Sequence, residues 1–492
     1  MKTSLLTLAV STALLSLSAP AFAEAQYLVR VPANVSISAA TPETPAEAIS
    51  FELSANPLPP ATVNELYRFN LADRLLVNSG NVSQILAGMN WSIKAGDTLP
   101  AGLALEGSEI VGTPTAKNEA GASFEVTGSY QDASGKQVYT IVVGGQVLKV
   151  TQISAGKEHT CAITTSGGAK CWGYNGFGQL GDNSFTSRLT PANVSELSSG
   201  VASISAGYFH TCAVMTSGGA KCWGDNSSGQ IGDGSTTRRR VPSDVSGLSS
   251  VSKISAGHGY TCAVTNEGAA KCWGSAPWGS THLPANISGL SENVSSIHTG
   301  YHHACVVTET GGARCWGGNN EGQLGRGTTS TFSNNPIGDV TGLTSGVVSI
   351  SLGEYHTCAV TKIGAAKCWG RNSEGQLGDN TRTNRLVPSD VLGLSSGVVS
   401  VSAAKSYACA VTASGGVTCW GASSGGLGDG TGSGSLKPID TIGLSAGVSS
   451  VSAGEVHACA MMDSGGVKCW GEGVQIGDGT GSRKFSPVEV LP

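Results

Sequence analysis

Residues 159–173 read HTCAITTSGGAKCWG. Two short strand-like runs, 160–164 and 169–172, flank Thr165-Ser166-Gly167-Gly168. Small residues and glycine between two such runs signal a tight β-hairpin. Folded about Ser166, the hairpin sets Cys161 opposite Cys171. Opposed residues in antiparallel strands have Cα atoms about 4.5–5.5 Å apart, within the span of a disulfide.

The stretch recurs. All 14 cysteines form seven pairs with nine residues between them. They are Cys161 with Cys171, Cys212 with Cys222, Cys262 with Cys272, Cys305 with Cys315, Cys358 with Cys368, Cys409 with Cys419, and Cys459 with Cys469. Trp-Gly follows every second cysteine, from Trp172 to Trp470. Ahead of each hairpin lies another strand-like run, such as 201–204, and behind it a Pro-x-x-Val piece, such as 242–245. Four short strands per unit, seven times over, predict an all-β fold: a seven-bladed β-propeller over 146–492. A long solenoid would need distinct capping repeats. The first unit is read as lacking its own Pro-x-x-Val strand, and a spare one stands at 486–490. The expectation is that this C-terminal strand pairs into the first unit and closes the ring, leaving no open sheet edge.

Composition agrees. Glycine is 70 of 492 residues and charged residues are 13 %, which favours many short strands joined by turns over long surface helices. Net charge is −5, with 12 acids and 6 bases in 24–145 and 22 of each in 146–492. Nucleic-acid binding wants a basic stripe, and only Arg238-Arg239-Arg240 runs together, so no nucleic acid is expected. Lys2, the apolar stretch 5–17 and Ala21-Phe22-Ala23 have the form of a signal peptide over 1–23. No later stretch approaches the roughly 20 apolar residues of a membrane helix. The expectation is an exported chain, periplasmic or extracellular, without membrane insertion. In an oxidising compartment the seven pairs read as disulfides. Zinc is the rival, but structural zinc cysteines normally stand two to four residues apart.

Trp-Gly-x-Asn-x-x-Gly-Gln-Leu-Gly, seen in its long form at 175–181, 226–232, 319–325 and 372–378, resembles the regulator of chromosome condensation repeat. The third unit departs from it with Ser275-Ala276-Pro277-Trp278, and the sixth and seventh keep only Gly426-Leu427-Gly428 and Gln475-Ile476-Gly477. The resemblance implies a seven-bladed propeller used as a binding platform. Before it, residues 24–50 are rich in Ala, Pro, Thr and Glu and read as a linker. Residues 51–145 resemble the immunoglobulin-like domains of bacterial surface proteins, on Trp91-Ser92-Ile93, the run 99–105 and Ile110-Val111-Gly112-Thr113-Pro114. That resemblance implies a small N-terminal immunoglobulin-like β-sandwich.

No nucleophile elbow, phosphate-binding glycine loop or His-Glu-x-x-His stands in the chain. Neither catalysis nor a cofactor is expected. His159, His210, His303, His356 and His457 occupy one repeat position, which Tyr260 and Tyr407 take in the other two units. Exchange of histidine with tyrosine suggests hydrogen-bonded packing. The cation before six of the seven second cysteines (Lys170, Lys221, Lys271, Arg314, Lys367, Lys468, with Thr418 in the sixth unit) reads as a solvated strand face. The two residues ahead of each repeat histidine or tyrosine vary: Lys157-Glu158, Tyr208-Phe209, His258-Gly259, Tyr301-His302, Glu354-Tyr355, Lys405-Ser406 and Glu455-Val456. Repeat geometry puts them on one face of the ring. Tyr208, Phe209, His258, Tyr301, His302 and Tyr355 either pack between blades or form an arc that binds a partner. The function expected is a non-enzymatic scaffold for a protein partner, acting as a monomer. Adhesion through a cell-surface glycan is the alternative, and guanine-nucleotide exchange by family analogy is less favoured.

Overall fold

The computed structural model describes residues 49–55, 58–79, 81–144, 148–276, 279–423 and 426–492. The signal peptide, most of the linker and Pro277-Trp278 of the third unit lie outside them. Seven four-stranded antiparallel sheets follow one another in chain order from Val150 to Glu489. In each, the strands lie in sequence order from the inside of the ring to the outside. Blade one has an inner strand Val150–Ala155, the hairpin His159–Thr164 and Ala169–Gly173, and an outer strand Arg188–Asn193.

The hairpin has the register read from the sequence, with Cys161 opposite Cys171 and His159 opposite Gly173. All seven cysteine pairs are disulfides, with Cα atoms 4.0–4.1 Å apart. That is slightly closer than expected, as for pairs that exchange no ladder hydrogen bonds. The Trp-Gly glycine is required by both backbone and space. Gly173 has φ +104°, and a Cβ there would stand 2.7 Å from the Glu158 carbonyl oxygen.

Closure differs from the expectation. The C-terminal strand Lys484–Glu489 pairs with Val467–Gly471 inside the seventh blade. Blade one has its own outer strand, which carries Pro191. The seventh blade therefore meets the first without strand exchange. Leu148, Val150, Ile153 and Trp172 pack against Val467, Ile476 and Val490 in one cluster, an apolar seam that substitutes for shared backbone pairing.

The seams repeat around the ring. The Gln179 carbonyl of blade one accepts from Trp223 Nε1 at 2.9 Å and from Thr211 Oγ1 at 2.9 Å in blade two. His159 Nε2 meets the same Thr211 hydroxyl at 2.8 Å. That hydroxyl gives its one hydrogen to Gln179, so His159 donates through Nε2–H. His210 with Thr261, His303 with Thr357, and His457 with Thr160 repeat the contact. Where the next blade has alanine, at Ala304 and Ala458, tyrosine replaces histidine. Tyr260 and Tyr407 reach backbone carbonyls of the next blade at 2.8 and 2.6 Å. The packing role expected for this position is the one seen. The expected solvated cations are half-exposed, and most are paired with the outer strand, as Lys221–Asp244 and Lys367–Asp390 at 2.7 and 2.6 Å.

Ahead of the ring, a four-stranded, a three-stranded and a two-stranded sheet form an immunoglobulin-like unit. Its core includes Leu71, Ile110, Phe124, Val126, Ile141 and Val143. It also contains a short helix, Val82–Gly88, capped by the Asn81 side chain accepting from Gln84 N–H. The helix was not expected, because its seven residues give too short a periodic signal.

Candidate functional site

Each inner strand runs toward one face of the ring and turns there through a three-residue loop, Gly156-Lys157-Glu158 in blade one. These loops surround the mouth of a central channel with a cavity of about 470 Å³, walled by the ends of all seven inner strands. The loops of blades seven, one, two and three are tied in series. Lys157 N–H donates to the Gly207 carbonyl at 3.1 Å, Tyr208 N–H to Gly257 at 3.0 Å, and Glu455 N–H of the seventh blade to Gly156 at 3.2 Å. A Cβ on Gly156 would lie 2.4 Å from the Gly207 oxygen, so glycine permits the approach. Lower in the wall, each serine hydroxyl accepts from its neighbour's backbone, as Ser154 from Ala206 N–H at 2.9 Å.

The first residue of each variable pair rims the cavity: Lys157, Tyr208, His258, Tyr301, Glu354, Lys405 and Glu455. The six aromatic residues singled out from the sequence are all half-buried, and the structure brings them together in one file. Phe209 meets Tyr208 at 4.6 Å between ring centroids, Tyr208 meets His258 at 4.3 Å, and His258 meets Tyr301 at 3.9 Å. Tyr301 meets His302 at 4.3 Å, and His302 meets Tyr355 at 5.6 Å. The rings contact across blades, yet they stay half-exposed at the channel mouth.

Phe177 and Tyr174 extend the file and were not singled out from the sequence. Phe177 stacks on Phe209 at 4.3 Å. Its loop is fixed from within, because Asn175 Oδ1 accepts from Leu180 N–H and its amide donates to Asp182, which also holds Arg188. The available signal was the variable x-x pair inside Asn-x-x-Gly-Gln-Leu-Gly, where the other long loops carry small or charged residues. Cations cover part of the file: Lys157 lies 4.1 Å from the Tyr208 ring, Arg238 4.5 Å from Phe177 and Arg371 5.8 Å from Tyr355.

Burial governs the electrostatics here. It pushes the His258 imidazole down to about 4, helped by His302 and Lys157 and opposed by Asp225. His302 is lowered by burial as well, and the Tyr301 and Tyr355 hydroxyls are raised by it. His258 and His302 are therefore neutral at pH 7, and Tyr301 and Tyr355 uncharged. Burial also raises the Glu354 carboxyl, with Lys405 opposing. Among the described residues, no group of three or more His, Cys, Asp or Glu could hold a metal ion, and no helix is long and apolar enough to cross a membrane.

Models of the regulator of chromosome condensation (RCC1) repeat match residues 150–179, 201–230, 294–323, 347–376 and 448–475 in one form. A second form matches 167–214, 218–264, 311–360 and 368–411. The Putative Ig domain model matches 19–144. The chain is 28 % identical over 273 residues to the mitochondrial RCC1 domain-containing protein RUG3 of Arabidopsis thaliana, covering 55 % of this chain and 53 % of that one. It is 37 % identical over 118 residues to HERC4 of Homo sapiens, a probable E3 ubiquitin-protein ligase, covering 24 % of this chain and 11 % of the ligase. It thus spans about half the length of the first relative and about a tenth of the second. Human WBSCR16 superposes with a TM-score of 0.58 at 21 % identity, covering 65 % of this chain and 93 % of that one. Yeast Prp20p, described with its binding to Gsp1p and histones, gives 0.59 at 20 % identity, covering 70 % and 88 %. By its recurring Cys-Trp-Gly hairpins, its ring of four-stranded blades and these matches, the chain belongs to the regulator of chromosome condensation (RCC1) repeat family.

Proposed function

We propose that this chain is an exported, monomeric, non-enzymatic scaffold that recognises a protein partner through the channel-mouth face. The continuous file of half-exposed rings from Phe177 to Tyr355 carries the reading. Clustered aromatics in a rigid frame are what interface hot spots are made of, since little side-chain entropy is lost on binding. Mutual packing speaks for protein over glycan. Tyr208 touches Phe209, His258, Tyr301 and Lys157, which leaves its ring little open face for stacking on a sugar. Seven buried disulfides and the leader-like start support export. The absence of a basic stripe in the sequence argues against nucleic acid.

The test uses the full chain as bait against native envelope and culture fluid, beside a Tyr208→Ala/Tyr301→Ala/Tyr355→Ala variant. The variant should retain the same partner at least about 30-fold more weakly, the equivalent of ~2 kcal/mol. Its Tm should move by no more than about 3 °C. Unchanged capture, or a collapse in Tm, would assign the rings to packing alone.

A further inference from the structure

The channel mouth has two unlike sides. Blades two to four present Tyr208, His258 and Tyr301 in mutual contact, and blades five to seven present Glu354, Lys405 and Glu455. On the charged side Lys405 is bound to Glu455 at 2.6 Å. Lys157 is held over Tyr208 and Phe209 and lies 3.6 Å from Glu158. Glu354 is half-buried and, among the described residues, has no ion-pair partner within 4.0 Å. Glu354 and Glu455 line the same opening as Tyr208, His258 and Tyr301.

Lys405 and Arg371 answer this carboxylate only from beyond salt-bridge distance, so a half-buried charge is left with room for a closer cation. An arriving cation would satisfy it and would also be attracted to the adjoining ring faces. An acidic head would meet repulsion from Glu354, and a neutral one would leave it with only its longer-range cations, Lys405 and Arg371. We propose that the channel mouth is built to receive a lysine or arginine side chain projecting from the protein partner, its head at Glu354 and its stem along Tyr301. Long basic side chains suit this division, with apolar methylenes behind a charged tip. The cavity below the rim, about 470 Å³, has the volume to hold such a side chain. This inference rests on the mouth being the recognition face.

Ligand-observed NMR on the full chain, with N-acetyl-arginine amide, N-acetyl-lysine amide and N-acetyl-glutamine amide as probes, tests it. Both cations should bind in the millimolar range, at least about tenfold more tightly than the glutamine probe. Glu354→Gln, which keeps the shape, should erase that preference. Lys405→Ala, which frees Glu455, should strengthen cation binding a few-fold. Equal binding of all three probes, no saturable cation binding up to about 50 mM, an indifferent Glu354→Gln variant, or preference for a neutral oligosaccharide such as chitotriose would each overturn the inference. Partner capture that survives Glu354→Gln would sink the cation reading alone. Loss of the platform itself is read separately, from the triple tyrosine variant.

Discussion

His356 has no hydrogen-bond partner on either ring nitrogen, although it is fully buried. Its four histidine counterparts each meet a threonine of the next blade, but blade six has Ala408 at that place. Wherever else the threonine is missing, tyrosine has replaced histidine. Blade five alone has neither remedy. Ala408→Thr should stabilise the protein by about 0.5–1.5 kcal/mol by supplying the missing acceptor, and Thr211→Ala should cost about 1–3 kcal/mol by orphaning His159. Urea unfolding of both variants checks the pair. No shift in either variant would mean that these contacts carry no net energy. The exchange of histidine with tyrosine was legible in the sequence as a packing position. Its logic was not, because the compensating residue lies about 50 positions downstream in another blade, and only the ring order makes them neighbours.

The hairpin was the most legible element, because glycine turn, opposed cysteines and Trp-Gly are all local features of 15 residues. The outer strand was the least legible. Its residues are half-exposed and polar, as in Arg188–Asn193, so neither alternation nor apolar runs mark it. What marks it is proline: Pro191, Pro242, Pro284, Pro336, Pro388, Pro438 and Pro487 all lie in outer strands. Proline withholds a donor at the ring's rim and blunts pairing with other chains. Pro191 marks the outer strand of blade one in the same way, which leaves Lys484–Glu489 to the seventh blade. The disulfide belongs to this scale too, since it ties one hairpin and joins no two blades. Removing one pair with Cys161→Ala/Cys171→Ala should cost roughly 2–3 kcal/mol, the loop entropy of the ring it closes. The ring should stay folded, with native far-UV circular dichroism at 25 °C. Loss of all native signal would mean that blades depend on each other's bridges.

The whole molecule is a circle of like seams, and its response to acid follows from them. Burial lowers the pKa of His159, His303, His356 and His457 to about 3 and that of His210 to about 4. In the unfolded chain each returns to about 6.5. The unfolded state therefore binds more protons below that pH, and stability, full above about 6.5, is lost progressively as pH falls toward the folded values. The urea midpoint should fall steadily from pH 7 to pH 4.5, and a flat profile would mean that these imidazoles are not buried neutral. The ring order and the six rim aromatics were legible from comparing repeats with one another. The polarity of the mouth was not, because rings and carboxylates on opposite sides become neighbours only when the circle closes. The central claim is that this mouth is the recognition face, and hydrogen–deuterium exchange on the chain alone and with its captured partner tests it directly. Protection should appear in loops 156–158, 207–209, 257–259, 300–302 and 353–355. Protection confined to the hairpin turns of the opposite face, at 165–168, 216–219 and 362–365, would contradict the account.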